Sequence, residues 1–247
     1  MENHEPAIVV KNLRKSFGKQ RVLNGVNLCV GRGETLSVLG RSGTGKSVLL
    51  KLIVGLVKPD AGSITVHGED IPTLSPNKLN RVRIKIGFLF QHAALYDSLN
   101  VAENVAFPLQ RHTRMSAAER KERVRDLLRR VGMEEHLHKM PAQISGGMQK
   151  RVGLARALAL EPDILLFDEP TTGLDPITAG EIDDLIRQAQ ENRQATSVVV
   201  THDLRSARAI SDRLALVHEG NVLAEGTYEE IENSPDPFVA QFLRQGA

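Results

Sequence analysis

Residues 40–47 read Gly-Arg-Ser-Gly-Thr-Gly-Lys-Ser and match the pattern G-x-x-x-x-G-K-[ST]. They follow the apolar run Thr35–Leu39 and open a helical pattern over residues 48–56, which is the setting that a phosphate-binding loop needs. The glycines let the backbone wrap around phosphate oxygens, Lys46 can neutralise the charge of the β- and γ-phosphates, and Ser47 can ligate Mg²⁺. The sequence therefore predicts binding of a nucleoside triphosphate. The predicted contacts are Gly40, Arg41, Ser42, Gly43, Thr44, Gly45, Lys46, Ser47 and Val48.

Two adjacent carboxylates, Asp168 and Glu169, follow the apolar run of residues 164–167. Open parallel sheets place their ligands at the carboxyl ends of strands, so Asp168 is predicted to hold Mg²⁺ and Glu169 to polarise the attacking water as general base. The alternative is that both carboxylates merely cap the next helix. Gln91 leaves another apolar run and can offer its amide oxygen to Mg²⁺ or to the water, although an isolated glutamine is more often a surface side chain.

His202 follows the apolar residues 198–200, so it is also expected at a carboxyl end, where its imidazole can donate to a γ-phosphate. His136 and His138 have no cysteine or carboxylate at metal-binding spacing, and no metal site is predicted there. The predicted catalytic residues are therefore Lys46, Gln91, Glu169 and His202, and the predicted metal ligands are Ser47, Gln91 and Asp168.

A second glycine-rich segment reads Ile-Ser-Gly-Gly-Met-Gln-Lys-Arg over residues 144–151. Ser145 is a good N-cap, Gly146 and Gly147 expose backbone N–H groups, and an Ala- and Leu-rich helix follows. This predicts a second helix terminus that can bind an anion. A simple glycine-rich helix start is the alternative reading of the same residues.

The composition indicates a cytosolic globular protein. The chain has 247 residues with 32 Lys and Arg against 30 Asp and Glu, and a net charge of +2 gives no reason to expect nucleic acid as a partner. The single cysteine, Cys29, cannot form an internal disulfide, and the alternating residues 26–30 predict that it is buried in a strand. The N-terminus does not resemble a signal peptide, and no apolar run approaches ~18 residues. Any membrane role is therefore expected to come through a partner.

The pattern of elements around these motifs predicts an α/β fold. Predicted strands cover residues 8–17 and 22–30 as a hairpin, 35–39, 63–67 as an edge strand, 86–90, 164–167, 196–201, and 214–218 with 222–225 as a terminal hairpin. Capping boxes start helices at Ser116 and Thr227, and Asp175 with Pro176 starts another. We expect one domain over residues 1–247. Its core lobe covers about 1–92 and 160–226, a helical lobe is inserted at about 93–159, and a short helical segment ends the chain at about 227–247.

Together these motifs resemble the ATPase subunit of an ATP-binding cassette (ABC) transporter. The matching segments are residues 40–47 (Walker A), Gln91 (Q-loop), 144–149 (signature), 164–169 (Walker B), 173–175 (D-loop) and His202 (switch). They occur in the family's order over nearly the whole chain. The resemblance implies the P-loop NTPase fold of an ABC-ATPase cassette, with a RecA-like core, an antiparallel β subdomain and an inserted helical subdomain. It also implies an ATPase that uses ATP and Mg²⁺.

The resemblance further implies a second copy of the chain as a partner, packed head to tail. Ser145 and Gly147 of one copy would contact the γ-phosphate held by Lys46 of the other, which makes Ser145, Gly146, Gly147 and Asp175 expected nucleotide contacts. Phe17 matches the position of an aromatic that stacks on adenine, the alternative being a core aromatic at a strand end. Met148 departs from the family pattern, in which many cassettes carry glutamine.

A closer similarity is to the Mla/Mce-type cassettes, which energise transport of phospholipid or other lipids in bacterial envelopes. It is carried by residues 91–96, 100–109, 144–152 and 175–178. It implies an integral-membrane permease, Mce-type substrate-binding subunits and small cytoplasmic accessory subunits as partners, at the cytoplasmic face of the bacterial inner membrane. Some relatives extend a C-terminal tail onto a neighbouring subunit, but here little follows Phe238.

Three classes of function are compatible with these motifs. A soluble ABC ATPase acting on DNA or ribosomes is disfavoured by the single cassette, the near-neutral charge and the lack of a long coiled-coil insertion. A regulatory protein that no longer hydrolyses ATP is disfavoured because Lys46, Asp168, Glu169 and His202 are all present. A transporter motor fits best. Its permease is expected to dock on the apolar residues 93–96 and Leu99 beside Gln91, although Leu95 and Leu99 can instead fill the core of the helical lobe.

Overall fold

The computed structural model describes residues 6–41, 43–191 and 195–245. The strands are β1 (Ile8–Phe17), β2 (Gln20–Val30), β3 (Thr35–Leu39), β4 (Ala61–Val66), β5 (Glu69–Asp70), β6 (Ile86–Leu89), β7 (Ile164–Asp168), β8 (Thr196–Thr201), β9 (Arg213–His218) and β10 (Asn221–Gly226). The helices are α1 (Lys46–Ile53), α2 (Pro76–Ile84), α3 (Val101–His112), α4 (Ala117–Arg130), α5 (Gly146–Ala157), α6 (Pro176–Glu191), α7 (Leu204–Ile210), α8 (Tyr228–Glu232) and α9 (Pro237–Gln245).

Within the described ranges the strands form two sheets. The first is antiparallel, with the order β2-β1-β4-β5, and the second has the order β10-β9-β3-β8-β7-β6, in which only β10 runs antiparallel to its neighbour. Every residue of β3, β7 and β8 is buried, as expected for parallel strands that are covered on both faces. The carboxyl ends of these three strands therefore meet at one edge of the sheet, where the phosphate-binding loop begins.

The alternation of side chains along β7 and β8 divides the core into two main parts. Leu166 and Val198 point toward a cluster that includes α1 and the antiparallel sheet. Phe167 and Val199 point to the other face, into a cluster that includes residues of α3, α4, α5 and α6. A smaller cluster packs α8 and α9 against β9. The central sheet is thus held between the elements that carry the loop and the helices that carry the second glycine-rich segment.

Helix starts follow local sequence closely. The predicted capping boxes at Ser116 and Thr227 are present, and a third at Asn100 starts α3. In each box the first side chain accepts from a backbone N–H three residues on, and a glutamate there reaches back, so the cap is determined within four residues. Among the described residues, every helix is too short or too polar to cross a lipid bilayer.

Several predictions about the elements were wrong. Cys29 is exposed, because Val26, Leu28 and Val30 of β2 face the core and Cys29 lies on the opposite face of the pleat. The strand predicted over residues 63–67 begins at Ala61 and is not an edge strand, because β5 pairs with its outer side. The first helix begins at Lys46, inside the loop motif, rather than at residue 48. Helix α2 was not predicted.

Candidate functional site

The loop between β3 and α1 is shaped by glycines that touch neighbouring backbone. Gly45 has φ 93°, and a Cβ there would lie 2.7 Å from Val22 Cγ1 and 2.8 Å from the Val22 carbonyl oxygen. A Cβ on Gly40 would lie 2.5 Å from the carbonyl oxygen of Val217. No side chain fits at either position, so the loop depends on both glycines. Thr44 Oγ1 donates to the Arg41 carbonyl oxygen at 2.8 Å, whereas Ser42, also predicted to contact the nucleotide, lies outside the described residues.

Lys46, the first residue of α1, is buried beneath this loop. Its Nζ donates to the carbonyl oxygens of Gly40 at 2.8 Å and Arg41 at 3.1 Å, and lies 3.5 Å from Glu169 Oε1. Burial lowers the pKa of Lys46, and the charge of Glu169 opposes that effect. The ammonium group therefore sits between the loop that is predicted to hold phosphates and the carboxylate that is predicted to activate water.

Ser47 and Asp168 form the oxygen pair predicted to hold Mg²⁺. The Ser47 hydroxyl donates to Asp168 Oδ1 at 2.6 Å, although 121 positions separate the two residues. Burial raises the pKa of Asp168, and the Ser47 hydrogen bond opposes the rise. Hydroxyl and carboxylate oxygens are ligands of the kind that Mg²⁺ prefers, and Mg²⁺ usually takes its other ligands from water and phosphate. In the described part of the chain, no cluster of three or more His, Cys, Asp or Glu residues is suited to hold a metal ion.

Glu169 is held in an unusual backbone conformation at the end of β7. Its φ of 49° is in the left-handed region, and its N–H donates to the Val200 carbonyl oxygen at 2.8 Å. Its Oε2 accepts from Thr172 Oγ1 at 2.8 Å and lies 2.8 Å from His202 Nδ1. The carboxylate side chain is 9% exposed and the imidazole is 49% exposed, so His202 covers the solvent side of the buried base.

Lys150 and Thr172 also belong to this site, although the sequence interpretation assigned them no role. Lys150 is 5% exposed, and its Nζ donates to the carbonyl oxygens of Glu169 at 2.9 Å and Thr172 at 3.0 Å. Burial lowers the pKa of Lys150 to about 8. Lys150 lies in the glycine-rich segment of residues 144–151 and Thr172 lies between the Walker B and D-loop segments, but lysine and threonine are usually surface residues, and nothing local indicates that these side chains turn inward.

The second glycine-rich segment lies at the start of α5. Ser145 is the N-cap, with Oγ accepting from the Met148 N–H at 3.3 Å, and Ser145 and Gly146 are exposed. A Cβ on Gly147 would lie 2.7 Å from Thr178 Cγ2, so this glycine lets α5 approach the start of α6. Among the hydrogen bonds of the described residues, none joins this segment to Lys46 or Ser47. Its contact with nucleotide stays a prediction.

Asp175 caps α6, as the sequence predicted. Its Oδ1 accepts from the N–H groups of Ile177 and Thr178, both at 3.1 Å, and its Oδ2 accepts from Thr178 Oγ1 at 2.6 Å. These hydrogen bonds, led by that of the Thr178 hydroxyl, hold the pKa of Asp175 below its usual range. The carboxylate thus accepts hydrogen bonds from the first turn of its own helix. Its contact with nucleotide stays a prediction.

Four more residues were predicted to contact nucleotide or Mg²⁺, namely Phe17, Val48, Gln91 and Arg41. Phe17 is 50% exposed at the end of β1, which excludes the alternative of a buried core aromatic and leaves a ring face accessible. Val48 is half-buried and packs against the core. Gln91 is half-buried beyond β6, and within the described residues it forms no hydrogen bond with Asp168 or Glu169. Arg41 extends toward α9, where its Cζ lies 5.5 Å from the centre of the Phe238 ring.

Comparison with known proteins gives a consistent result. Residues 23–172 match the model of a protein family described as ABC transporter. The chain is 43% identical over 237 residues to the probable ribonucleotide transport ATP-binding protein mkl of Mycobacterium leprae, covering 96% of this chain and 68% of that protein. It is 41% identical over 240 residues to the methionine import ATP-binding protein MetN of Brucella abortus, covering 97% of this chain and 65% of that protein. The chain thus spans about two thirds of the length of these relatives.

Two solved structures are also similar. One is the dimeric, post-hydrolysis state of the ATP-binding cassette MJ0796 bound to ADP and Pi, with TM-score 0.83, 37% identity and coverage of 89% of this chain and 98% of that chain. The other is cbiO1 from Clostridium perfringens, part of the ABC transporter complex cbiONQ, with TM-score 0.83, 29% identity and coverage of 98% of this chain and all of that chain.

Proposed function

Because the chain belongs to the ABC transporter family and is an ATP-hydrolysing cassette, we propose that it drives a membrane permease that moves phospholipid or another lipid. The predicted cassette fold, the ATPase activity and the use of ATP with Mg²⁺ are confirmed by the family match and by the likeness to a cassette bound to ADP and Pi. The roles of individual residues are proposals. The observation that best supports them is the position of the buried Glu169 carboxylate, between Lys46 on one side and Thr172 and His202 on the other.

The proposed chemistry follows from these contacts. Glu169 takes a proton from the attacking water, because its buried carboxylate lies next to Lys46 of the phosphate-binding loop, whereas the buried carboxylate of Asp168 accepts from Ser47. Lys46 neutralises phosphate charge, and Ser47 with Asp168 would hold Mg²⁺, which when bound neutralises charge that develops on the phosphate oxygens. His202 orients the base. Since an ionised carboxylate only accepts hydrogen bonds, Nδ1 carries the proton, and the predicted contact with the γ-phosphate needs the imidazolium or a turned ring.

Substitution of Glu169 by glutamine tests this assignment. Glu169→Gln keeps the shape of the side chain and one oxygen that can accept from Thr172 and His202, but it removes the base, so ATP turnover should fall by on the order of 10²–10⁴ while ATP binding persists. Turnover and binding of labelled ATP are measured together, with Glu122→Gln on the exposed face of α4 as the matched control. Near-normal turnover in Glu169→Gln would remove Glu169 from this role.

A second copy of the chain is the proposed partner at the nucleotide. Ser145 and Gly146 are exposed at the N-terminus of α5, where backbone N–H groups and the helix dipole favour an anion. In a head-to-tail pair this helix end would reach the γ-phosphate bound at Lys46 of the other copy. The dimeric state of the similar cassette MJ0796 supports such pairing. ATP would then form part of the interface and promote assembly by mass action.

The proposed dock for the permease is a groove of about 640 Å³ beside the segment that follows Gln91. Tyr96 is 46% exposed at its edge, and its ring centroid lies 4.7 Å from that of Phe107. The Arg156 guanidinium donates to the carbonyl oxygens of Ala93 and Ala94, at 2.6 and 2.8 Å, and so fixes the segment. Leu95 packs against the core instead, so the alternative interpretation holds for that residue. The groove combines aromatic and aliphatic residues with the charged side chains of Arg83 and Arg111, a lining that suits an amphipathic helix from a permease.

Lipid as the substrate rests on the similarity of residues 91–96, 100–109 and 144–152 to Mla/Mce-type cassettes. The proposal includes Mce-type and small cytoplasmic accessory subunits, and a place at the cytoplasmic face of a bacterial inner membrane through the permease. The proposed division is a core lobe of about 1–92 and 160–226, a helical lobe of about 93–159 and a C-terminal segment of about 227–247, with the helical lobe packed against β7 and β8 of the core lobe.

An importer of a different substrate is the second candidate, because the relatives above are named for ribonucleotide and methionine transport. Purification of the complex from detergent extracts, followed by reconstitution in vesicles, separates the candidates. ATP-dependent movement of a labelled phospholipid supports the lipid assignment, and uptake of methionine or a ribonucleotide by the same complex supports the alternative. Recovery of the chain with nucleic acid or ribosomes, and no permease, would contradict both.

A further inference from the structure

Lys150 links the start of α5 to the turn that carries Glu169. It lies five residues after Ser145, on the same helix that presents the exposed glycine-rich segment. Its side chain turns away from solvent, and its Nζ reaches the carbonyl oxygens at both ends of the turn, Glu169 at 2.9 Å and Thr172 at 3.0 Å. The contact therefore joins α5 to the backbone of Glu169, the proposed base.

The turn that Lys150 holds is conformationally demanding. Glu169 adopts φ 49°, which costs free energy for a residue with a Cβ and persists only where its surroundings enforce it. The enforcing contacts are the hydrogen bond from Glu169 N–H to Val200, the weak bond from Thr172 N–H to the Glu169 carbonyl oxygen at 3.3 Å, and the two bonds from Lys150. Bonds from an ammonium group are charge-assisted and so are the strongest of these.

The environment of Lys150 indicates a specific role rather than incidental burial. A buried lysine normally loses much of its proton affinity, and burial here lowers the pKa of Lys150 to about 8. The negative charges of Glu169 and Asp168 oppose that loss and favour the ammonium form. The adjacent Arg151 anchors the helix by donating to the Val131 carbonyl oxygen at 3.2 Å and to Glu181. The negative charges of the site thus stabilise the ammonium group of Lys150, and Lys150 in turn holds the backbone of the Glu169 turn.

We propose that Lys150 is a positioning residue for ATP hydrolysis, which holds the Glu169 turn in its catalytic conformation and makes the position of that base depend on the position of α5. The inference rests on the proposed role of Glu169 as general base. In the proposed pair, the start of α5 meets the ATP of the second copy. The same helix would then adjust the base of its own site through Lys150, because a helix moves as a rigid element over the five positions that separate Lys150 from Ser145.

The test compares four variants by kcat, KM for ATP, affinity for labelled ATP, and Tm. Lys150→Met keeps the apolar stem but removes the donor, so kcat should fall by roughly 10–100-fold while KM and affinity stay within about twofold. Lys150→Arg should restore kcat to within about threefold of the parent, since the guanidinium offers donors at a similar reach. Lys150→Gln should give an intermediate kcat, and Lys121→Met, on the exposed face of α4, should behave as the parent.

Several outcomes would overturn the proposal. They are a parental kcat in Lys150→Met, a parallel loss of kcat and affinity, and a folded Lys150→Arg that is as slow as Lys150→Met. If Lys150→Met does not fold, the Arg and Gln variants decide, and equal kcat values for the two would refute the role. Combining Lys150→Met with Glu169→Gln separates this idea from the proposed function. Lys150 acts through Glu169, so the double variant should be no slower than Glu169→Gln alone, whereas near-normal turnover of Glu169→Gln would refute the base itself.

Discussion

Replacement of Asp183 by asparagine should stabilise the protein at neutral pH. Asp183 is buried between α6 and α7, and its Oδ1 accepts from Ser206 Oγ at 2.6 Å. Burial raises the pKa of Asp183 to about 6, with Asp203 and Asp184 adding to the rise and Ser206 and Arg187 opposing it. Helix α7 starts directly after His202 and Asp203. The hydrogen bond between Ser206 and Asp183 therefore joins α7 to α6, the helix that follows the proposed base in sequence.

The sign and size of the effect follow from linkage. The folded pKa of about 6 lies above the ordinary 3.8, so the stability that the proton contributes is fully present below pH 3.8 and is lost as pH rises through about 6. At about 1.4 kcal/mol per tenfold change in proton affinity, the charged form costs up to ~3 kcal/mol at neutral pH. Asparagine is neutral and of similar shape. Asp183→Asn should therefore raise the free energy of unfolding by about 1–3 kcal/mol at pH 7.5, and this gain should shrink toward zero near pH 4.

Urea unfolding of the parent and of Asp183→Asn at several pH values between 4 and 7.5 measures this difference directly. Asp184→Asn is the matched control, because Asp184 lies on the exposed side of the same helix and should change the free energy of unfolding by less than about 0.5 kcal/mol. A difference between parent and Asp183→Asn that does not vary with pH would refute the reasoning, as would a loss of stability in the variant at pH 7.5.

Three further predictions concern function. Lys46→Ala should weaken ATP binding by about 1.5–3 kcal/mol, because it removes a charge-assisted contact with phosphate, and Phe17→Ala should weaken it by less, because it removes stacking on adenine. Titration with labelled ATP checks both variants, and unchanged affinity in Lys46→Ala would contradict the proposed phosphate contact. Ser145→Arg should abolish ATP-dependent pairing, measured by mass in solution, and a variant that still pairs and hydrolyses normally argues against a shared site. Tyr96→Asp should keep nucleotide binding but lose association with the permease and ATP-dependent lipid transfer. Normal assembly and transfer would place the coupling surface elsewhere, and unfolding would favour a core role for Tyr96.

Local sequence determined a large part of this protein. The phosphate-binding loop, the capping boxes at Ser116 and Thr227, and the N-cap at Asp175 each depend on residues within one or two turns, so contiguous residue types were sufficient to predict them. The buried parallel strands were also readable, because strands covered on both faces need continuous apolar runs. The family's order of motifs then identified the cassette.

Only the tertiary structure decided which side chains meet and in what conformation. Cys29 faces outward because the alternate residues of β2 on either side of it pack against the core. Strand β4 was predicted to lie at an edge, but β5 pairs with its outer side. The contact of Ser47 with Asp168 joins residues 121 positions apart, and the inward turn of Lys150 is stabilised by carbonyl oxygens from another segment. Such contacts are determined by the register of parallel strands and the approach of helices, which no local pattern contains. The chemistry of this site was therefore predictable as a set of residue types, whereas its geometry depends on the packing of the whole chain.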